Sequence, residues 1–442
     1  MSEPLVIIGN GMASMRLVEE LTARALGRYA IAVIGEEPRL AYNRVLLSSV
    51  LAQEVSHGEI ELKPASWWRD RGVTLLYGHT AVGIDHAIRR VKLASGATLP
   101  YAKLVLATGS RPIRLNVPGM DLPGVMTFRD AGDVAALQSA AKGARVAVIG
   151  GGLLGLEAAY GLARAGARTC VIHLMDRLME RQLDPRAAAM LKAAVEARGI
   201  AVHLEAETAA IVGVGGVEAV ALADGRLIEA DLVVVAAGIR ANVDLARTAG
   251  LDINRGIVVD DHLCASHADI HAIGECAEHR GICYGLVEPA YEQARVLAAR
   301  LAGVDARYDG SVIATNLKVS GVNVFSAGDF LGAAGAETVV LSDAGLGTYK
   351  KLVIADGRLK GAVQFGDTAD GPWYLELIQS GVSVDALRGD LIFGRAFVER
   401  IAPTPASGVP RKPRATARAG KPAGSLASTR LTRPAAVRVP AE

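Results

Sequence analysis

Short, largely apolar runs, most of them ending at or next to a glycine, recur between residues 5 and 238. They are "LVIIG" (Leu5–Gly9), "IAVIG" (Ile31–Gly35), "LVLATGS" (Leu104–Ser110), "VAVIGGG" (Val146–Gly152), "CVIHL" (Cys170–Leu174) and "LVVVAAG" (Leu232–Gly238). Strands without a polar face belong to parallel sheets covered by helices on both sides. The segments between them read as helices, which gives repeating βαβ units, one up to about Pro112 and another from about Ala144 to Gly238. "ADIHAIGECA" (Ala268–Ala277) adds a further buried strand. "EPAYEQARVLAARLAG" predicts an amphipathic helix, with Pro289 in its first turn and Gly303 at its stop. From about Ser311 the period changes. "TNLKVSGVNVFSAGD" and "YKKLVIADGRLKGAVQFGD" alternate around turns, with a hairpin at Asp356-Gly357, and "WYLELIQSGV" predicts a helix. After Ala402 the chain is rich in Pro, Ala, Arg and Gly without period, a composition that predicts disorder.

Two glycine turns carry the first chemistry. Gly9-Asn10-Gly11-Met12-Ala13-Ser14 follows a strand and opens a helix, as a dinucleotide-binding turn does. The first glycine permits the turn, the second lets the backbone approach a pyrophosphate, and Ser14 is small enough for close packing. The next strand should end in an acid for a ribose hydroxyl, and of Glu36 and Glu37 the first is favoured. Gly150-Gly151-Gly152-Leu153-Leu154-Gly155 is a complete second turn, with His173 where the acid is expected. Arg168 and Arg177 are candidates to meet a 2′-phosphate, although each also reads as a surface charge. The reading leans to NADH, with NADPH possible.

Composition narrows the classes. The 442 residues include 51% hydrophobic and 21% charged positions, enough for two or three domains with large cores. No apolar run is long enough to span a bilayer and no leader-like stretch precedes Leu5, so a cytoplasmic protein is expected. Residues 403–442 carry eight Lys or Arg against one acid, which leaves the body near −5, without the charge of a nucleic-acid surface. The four cysteines form no CxxC pair. His267, His271 and Glu275 recur at four-residue intervals, but "IHAIG" reads as a strand, where that spacing gathers nothing, so no metal site is expected. Trp67 and Trp68 read as helix packing.

With these motifs in hand, the chain resembles the two-dinucleotide flavoprotein reductases of the pyridine nucleotide–disulfide oxidoreductase superfamily over about Leu5–Gly394. "ATGSRP" (Ala107–Pro112) and "AAGIRAN" (Ala236–Asn242) look like the crossovers between its FAD and NAD domains, and "DIHAIGECA" like its second FAD motif. "AYNRVLLSSVLA", "RLMERQLD", "IGECAEHRGICYGLVEPAYEQA" and "TNLKVSGVNVFSAGD" are similar to the flavoprotein part of assimilatory NADH-nitrite reductase and to the flavoprotein serving assimilatory nitrate reductase. The fold implied is α/β: two Rossmann-like three-layer dinucleotide-binding domains, a small α+β C-terminal domain and a disordered tail. An FAD-binding domain is expected over residues 1–115 and 240–310, an NAD(P)H-binding domain over 116–239, an α+β interface domain over 311–400, and the tail over 403–442.

The resemblance assigns residues. FAD would be held by Gly9, Gly11, Met12, Ala13, Ser14, Glu36, Tyr42, Asn43, Arg44, Ala107, Thr108, Gly109, Gly274 and Glu275, the last binding the ribityl chain. The helix at Pro289 would aim its N-terminus at the flavin, and Lys318 faces either that ring or solvent. NAD(P)H would be held by Gly150, Gly152, Leu153, Leu154, Gly155, Glu157, His173 and Gly238. Glu157 matches the family's glutamate near the nicotinamide and is the candidate catalytic residue, while Ser49 stands where many relatives place its lysine partner. The family's redox-active cysteines are missing from "YNRVLLSSVLA", so flavin is the last redox group expected. No cysteine follows Cys283, so this chain is not expected to carry siroheme–iron–sulfur centres or to reduce nitrite alone. The function implied is FAD-dependent transfer of electrons from NADH to a separate nitrate- or nitrite-reducing metalloprotein. The alternatives are a rubredoxin or ferredoxin reductase, and a flavin- and NAD-binding sensor or scaffold.

Overall fold

The computed structural model of the chain describes residues 2–319 and 321–401. The expectations for the tail, and for the side chain of Lys318, lie outside the described residues. The chain divides into a body, Met1–Val398, and a second unit, Glu399–Glu442.

Three five-stranded sheets organise the body. The first is parallel, in the order Ile270–Ala272, Lys103–Leu106, Glu3–Ile8, Tyr29–Gly35, Thr74–Tyr77. The second is also parallel, in the order Ala201–His203, Arg168–Ile172, Arg145–Ile149, Leu232–Val235, Val125–Thr127. Their central strands are almost fully buried, as apolar runs without a polar face require. The third sheet is antiparallel: Ala314–Val319, Val322–Gly328, Arg358–Phe365, Thr348–Ala355, Glu337–Asp343. Its hairpin turns at Asp356-Gly357, both in the left-handed region (φ 51° and 66°), which splices two right-twisted strands without splaying them. The helix Gly371–Ser380 covers this sheet and stops at Gly381, also left-handed.

The apolar runs do not announce two small antiparallel sheets, Ala81–Asp85 with Arg90–Leu93 and Thr98–Pro100, and Thr208–Val212 with Ala219–Leu222 and Leu227–Glu229. Their strands are only three to five residues long, too short to show a period. The chain enters the second sheet through Ser110–Pro112 and leaves through Ile239–Ala241, and these two crossovers pair antiparallel.

One packing contact positions the site. The helix Leu47–Leu51 lies against the helix Leu153–Arg164 so closely that a Cβ on Gly161 would stand 3.0 Å from Leu51. Leu47, Val50 and Leu51 share one apolar cluster with Val148 and Leu156 of the second sheet's layer and with Val324, Tyr349 and Val363 of the third. Each such buried side chain contributes roughly 1.5–3 kcal/mol. The segment after Tyr42 is thereby anchored against the second sheet's layer. Trp68 is buried in the helix Ala65–Asp70, edge-on to Trp67. Among the described residues no helix is long and apolar enough to cross a membrane.

Candidate functional site

The two glycine turns are built alike. Gly9 and Gly150 have φ of +114° and +126°, and a Cβ on either would overlap the carbonyl of Ala107 or Ala236 on the neighbouring strand. Only glycine fits there. Gly11 and Gly152 differ: each precedes its helix, Met12–Ala25 or Leu153–Arg164, and a Cβ on either would meet nothing within 4 Å. That open cradle, beside a helix N-terminus with unpaired N–H groups, fits a pyrophosphate. The third positions diverge. A Cβ on Gly155 would overlap the carbonyl of Gly150, whereas Ser14 is fully buried and donates its hydroxyl to the Gly9 carbonyl at 2.5 Å.

Glu36 lies exposed just past the end of its strand, while Glu37 is committed elsewhere. Arg44 pairs with Glu37, and the Tyr42 hydroxyl donates to the same carboxylate at 2.7 Å while accepting from the amide of Ala131. Burial, with Glu37 adding to it and Arg44 opposing, pushes the Tyr42 phenol up, so it stays a donor. Asn43 caps the turn Arg44–Leu46 by accepting from the Val45 amide. Tyr42 and Arg44 thus brace one another, the guanidinium lying 5.0 Å above the ring.

Past the first sheet, Ala107-Thr108-Gly109 runs into the crossover, and Gly109 is left-handed (φ 65°). Its Cα faces the Glu275 carboxylate. Glu275 accepts from the Ser110 hydroxyl at 2.8 Å and pairs with Arg129. Gly274 is left-handed too, its amide donating to Gln293 of the helix Val287–Leu301 at 2.7 Å, and a Cβ on it would press on Ala13. The second motif is therefore locked to both the first turn and the helix that carries Pro289, which is buried as the third residue of that helix.

Beside the second turn, Glu157 sits one turn into the helix Leu153–Arg164, only 7% exposed, with no hydrogen-bond partner among the described residues. Burial alone pushes its carboxyl up to about 8, so it is protonated at neutral pH. Gly238 is left-handed (φ +115°) against Ile113. His173 is buried. Its Nδ1 accepts from the Gly151 amide at 3.0 Å and its Nε2 lies 3.2 Å from Glu180. The strand register shifts the expected alignment by one residue. Ile8 pairs with Ile34 and Ile149 with Ile172, so His173 matches Gly35, and the residue matching Glu36 is Leu174. Arg168 opens the strand Arg168–Ile172, about 13 Å from the strand end that bears the turn, too far to meet a ribose there. Arg177 is paired with Asp176 at 3.0 Å. The four cysteines are free, and burial raises each thiol, Cys170 to about 11, away from thiolate chemistry at neutral pH. Among the described residues no group of three or more His, Cys, Asp or Glu could hold a metal.

Comparison with known proteins decides the family. Residues 3–303 match the pyridine nucleotide-disulphide oxidoreductase family, and residues 314–382 match the rubredoxin NAD+ reductase C-terminal domain. The chain belongs to the pyridine nucleotide-disulphide oxidoreductase family. As in that family, its cofactors are FAD and NAD(P)H. It is 44% identical to a nitrite reductase [NAD(P)H] of Bacillus subtilis (strain 168) over 86% of this chain and 48% of that protein. It is 42% identical to the assimilatory nitrate reductase electron transfer subunit of the same organism, over 83% of this chain and 48% of that one. The chain therefore spans about half the length of these curated relatives. A ferredoxin reductase from Rhodopseudomonas palustris superposes with a TM-score of 0.80 at 28% identity, over 91% of this chain and all of that one.

Two further residues brace these candidate residues. Arg129 follows the strand Val125–Thr127 with no glycine signature around it, yet it reaches Glu275 across the crossover and is fixed by Asp133, which accepts from its amide at 2.7 Å. Glu180 lies in a loop, its carboxylate 3.2 Å from His173 Nε2 and 4.0 Å from the Arg181 guanidinium. No local pattern marks Arg129, and the stretch "RLMERQLD" that holds Glu180 does not announce its contact with His173.

Proposed function

We propose that this oxidoreductase is the electron-transfer flavoprotein of a nitrate- or nitrite-reducing system. In this reading FAD lies on the turn Gly9–Ser14 and a nicotinamide nucleotide on the turn Gly150–Gly155. The first sheet, in residues 1–115 and 240–310, is the FAD domain, 116–239 the NAD(P)H domain, and 311–400 a partner-facing domain. When bound, FAD would supply the redox chemistry that links a two-electron hydride donor to a one-electron metal centre in a separate protein.

The protein's part is binding and orientation. Gly11 and Gly152 leave the backbone bare for two pyrophosphates, and Glu36 is free for a ribose. Arg129 and Ser110 hold the Glu275 carboxylate toward Gly109, where a ribityl hydroxyl would find it. Glu157, protonated at neutral pH, offers a proton rather than a negative charge beside the nicotinamide. A cytoplasmic location belongs to the same proposal. The observation that carries it is the pair of like-built turns, each with an open central glycine, joined through adjacent crossovers. The names of the two Bacillus subtilis relatives support the choice of partner.

A second reading, reduction of a rubredoxin or ferredoxin, is favoured by the match at residues 314–382. The first test is the visible spectrum of the purified protein under anaerobic conditions, before and after NADH and then NADPH. Bleaching of a bound flavin supports the reductase. A bound flavin that neither nucleotide reduces overturns it and favours a sensor. Reoxidation by a purified nitrate or nitrite reductase, against rubredoxin or ferredoxin, chooses the partner.

A further inference from the structure

The two turns solve one packing problem in opposite ways. In the first, a side chain stands inside the turn and a glycine on the strand: a Cβ on Gly35 would come within 2.5 Å of the Asn10 Cβ. In the second, the glycine is inside the turn and the side chain on the strand: a Cβ on Gly151 would lie 2.6 Å from the His173 Cγ and 2.7 Å from Leu178. Gly151 is thus required even though it occupies a variable position of the glycine motif.

The imidazole fills that space and makes directed bonds. His173 Nδ1 accepts from the Gly151 N–H, so the ring proton belongs on Nε2, which faces Glu180. Glu180 therefore fixes the tautomer. The Gly151 carbonyl is held as well, accepting from the Met179 amide at 3.0 Å, and Met179 adopts a left-handed φ of 50° to deliver that bond. The backbone of His173 is locked into the sheet edge, its amide donating to His203 and its carbonyl accepting from Ala206. Both the N–H and the carbonyl of Gly151 are clamped by the segment 173–180.

We propose that His173, oriented by Glu180, is a positioning residue that holds the nucleotide-binding turn, and that it takes no part in reading the ribose. The residue at the ribose-reading position is then Leu174, which is 60% exposed and apolar. Asp176 and Arg177 beyond it are paired with one another. The 2′ substituent meets no dedicated acid and no dedicated cation at this position, so NADH and NADPH are separated only weakly. This rests on the nicotinamide nucleotide occupying the second turn.

The test uses the full-length flavin-bound protein, with NADH and NADPH as donors and ferricyanide as acceptor. Wild type must first be reduced by one of the nucleotides; if it is not, the functional reading fails before this inference is reached. His173→Leu removes the acceptor for Gly151. It should raise KM for both nucleotides tenfold or more by the same factor, leave kcat within about threefold, and leave flavin content unchanged. His173→Asn restores an acceptor oxygen near Nδ1 and should recover most of the loss. Leu174→Glu should raise the NADH-to-NADPH ratio of kcat/KM at least tenfold. If His173→Leu does not fold, Glu180→Ala serves in its place, with an equal and smaller rise in both KM values. The inference is overturned if the His173 or Glu180 variants change the NADH-to-NADPH ratio instead of both KM values together. It is also overturned if Asn does no better than Leu at 173, or if Leu174→Glu leaves the ratio unchanged.

Discussion

Tyr349 donates its phenolic hydrogen to the carboxylate of Asp184 at 2.7 Å, and both side chains are buried. Tyr349 belongs to the third sheet. Asp184 caps the helix Pro185–Glu196 beside the second sheet, accepting from the Ala187 amide at 3.2 Å. One carboxylate therefore serves a helix end and a contact between sheets. Tyr349→Phe leaves that buried carboxylate short of a donor and should cost about 1–3 kcal/mol of unfolding free energy. Denaturant unfolding of the flavin-bound protein, wild type against variant, reads this directly.

Glu157 gives a pH signature. Its carboxyl titrates at about 8 in the folded chain, above the ordinary range it has when unfolded, so the folded state holds the extra proton between those values. Its contribution is greatest in acid and falls as pH rises from about 4.5 to about 8. The ionised side chain costs on the order of several kcal/mol above that range. Glu157→Gln copies the neutral acid. It should match wild type near pH 5 and exceed it in thermal midpoint at pH 9; a constant difference at both values would refute the burial argument.

The glycines of the second turn separate folding from binding. Gly152→Ala meets no atom within 4 Å, and φ of −80° suits any residue. The variant should fold, keep its flavin, and show a KM for NADH raised tenfold or more as the methyl crowds the pyrophosphate. Gly150→Ala would drive a methyl into the Ala236 carbonyl at φ +126° and should lose several kcal/mol of stability. Soluble yield, flavin absorbance and steady-state kinetics of the pair distinguish the two effects.

The parallel strands, both turns and the Asp356-Gly357 hairpin are legible because local rules write them: an apolar run, a glycine where φ must be positive, a period of two. The small antiparallel sheets are not, since strands of three to five residues are too short to show a period. Within the candidate site, Glu36 and Glu275 are reached by motif; Glu180 lies in the stretch "RLMERQLD", which does not reveal its contact with His173, and Arg129 lies in no motif. Arg129 meets Glu275 across the fold, 146 residues away, and no spacing rule spans that distance. The offset between His173 and Leu174 is a matter of strand register. A motif counted along one chain blurs it by a residue, and only the pairing with the neighbouring strand resolves it.

The strand Ile270–Ala272 completes the first sheet beside Lys103–Leu106, although the whole second sheet lies between them in sequence. As the chain emerges from a ribosome, the inner sheet has all its strands while the outer one still lacks its edge and Glu275. Nascent chains should therefore acquire the nicotinamide-nucleotide site first, and the flavin should be captured late, by a chain already mostly built.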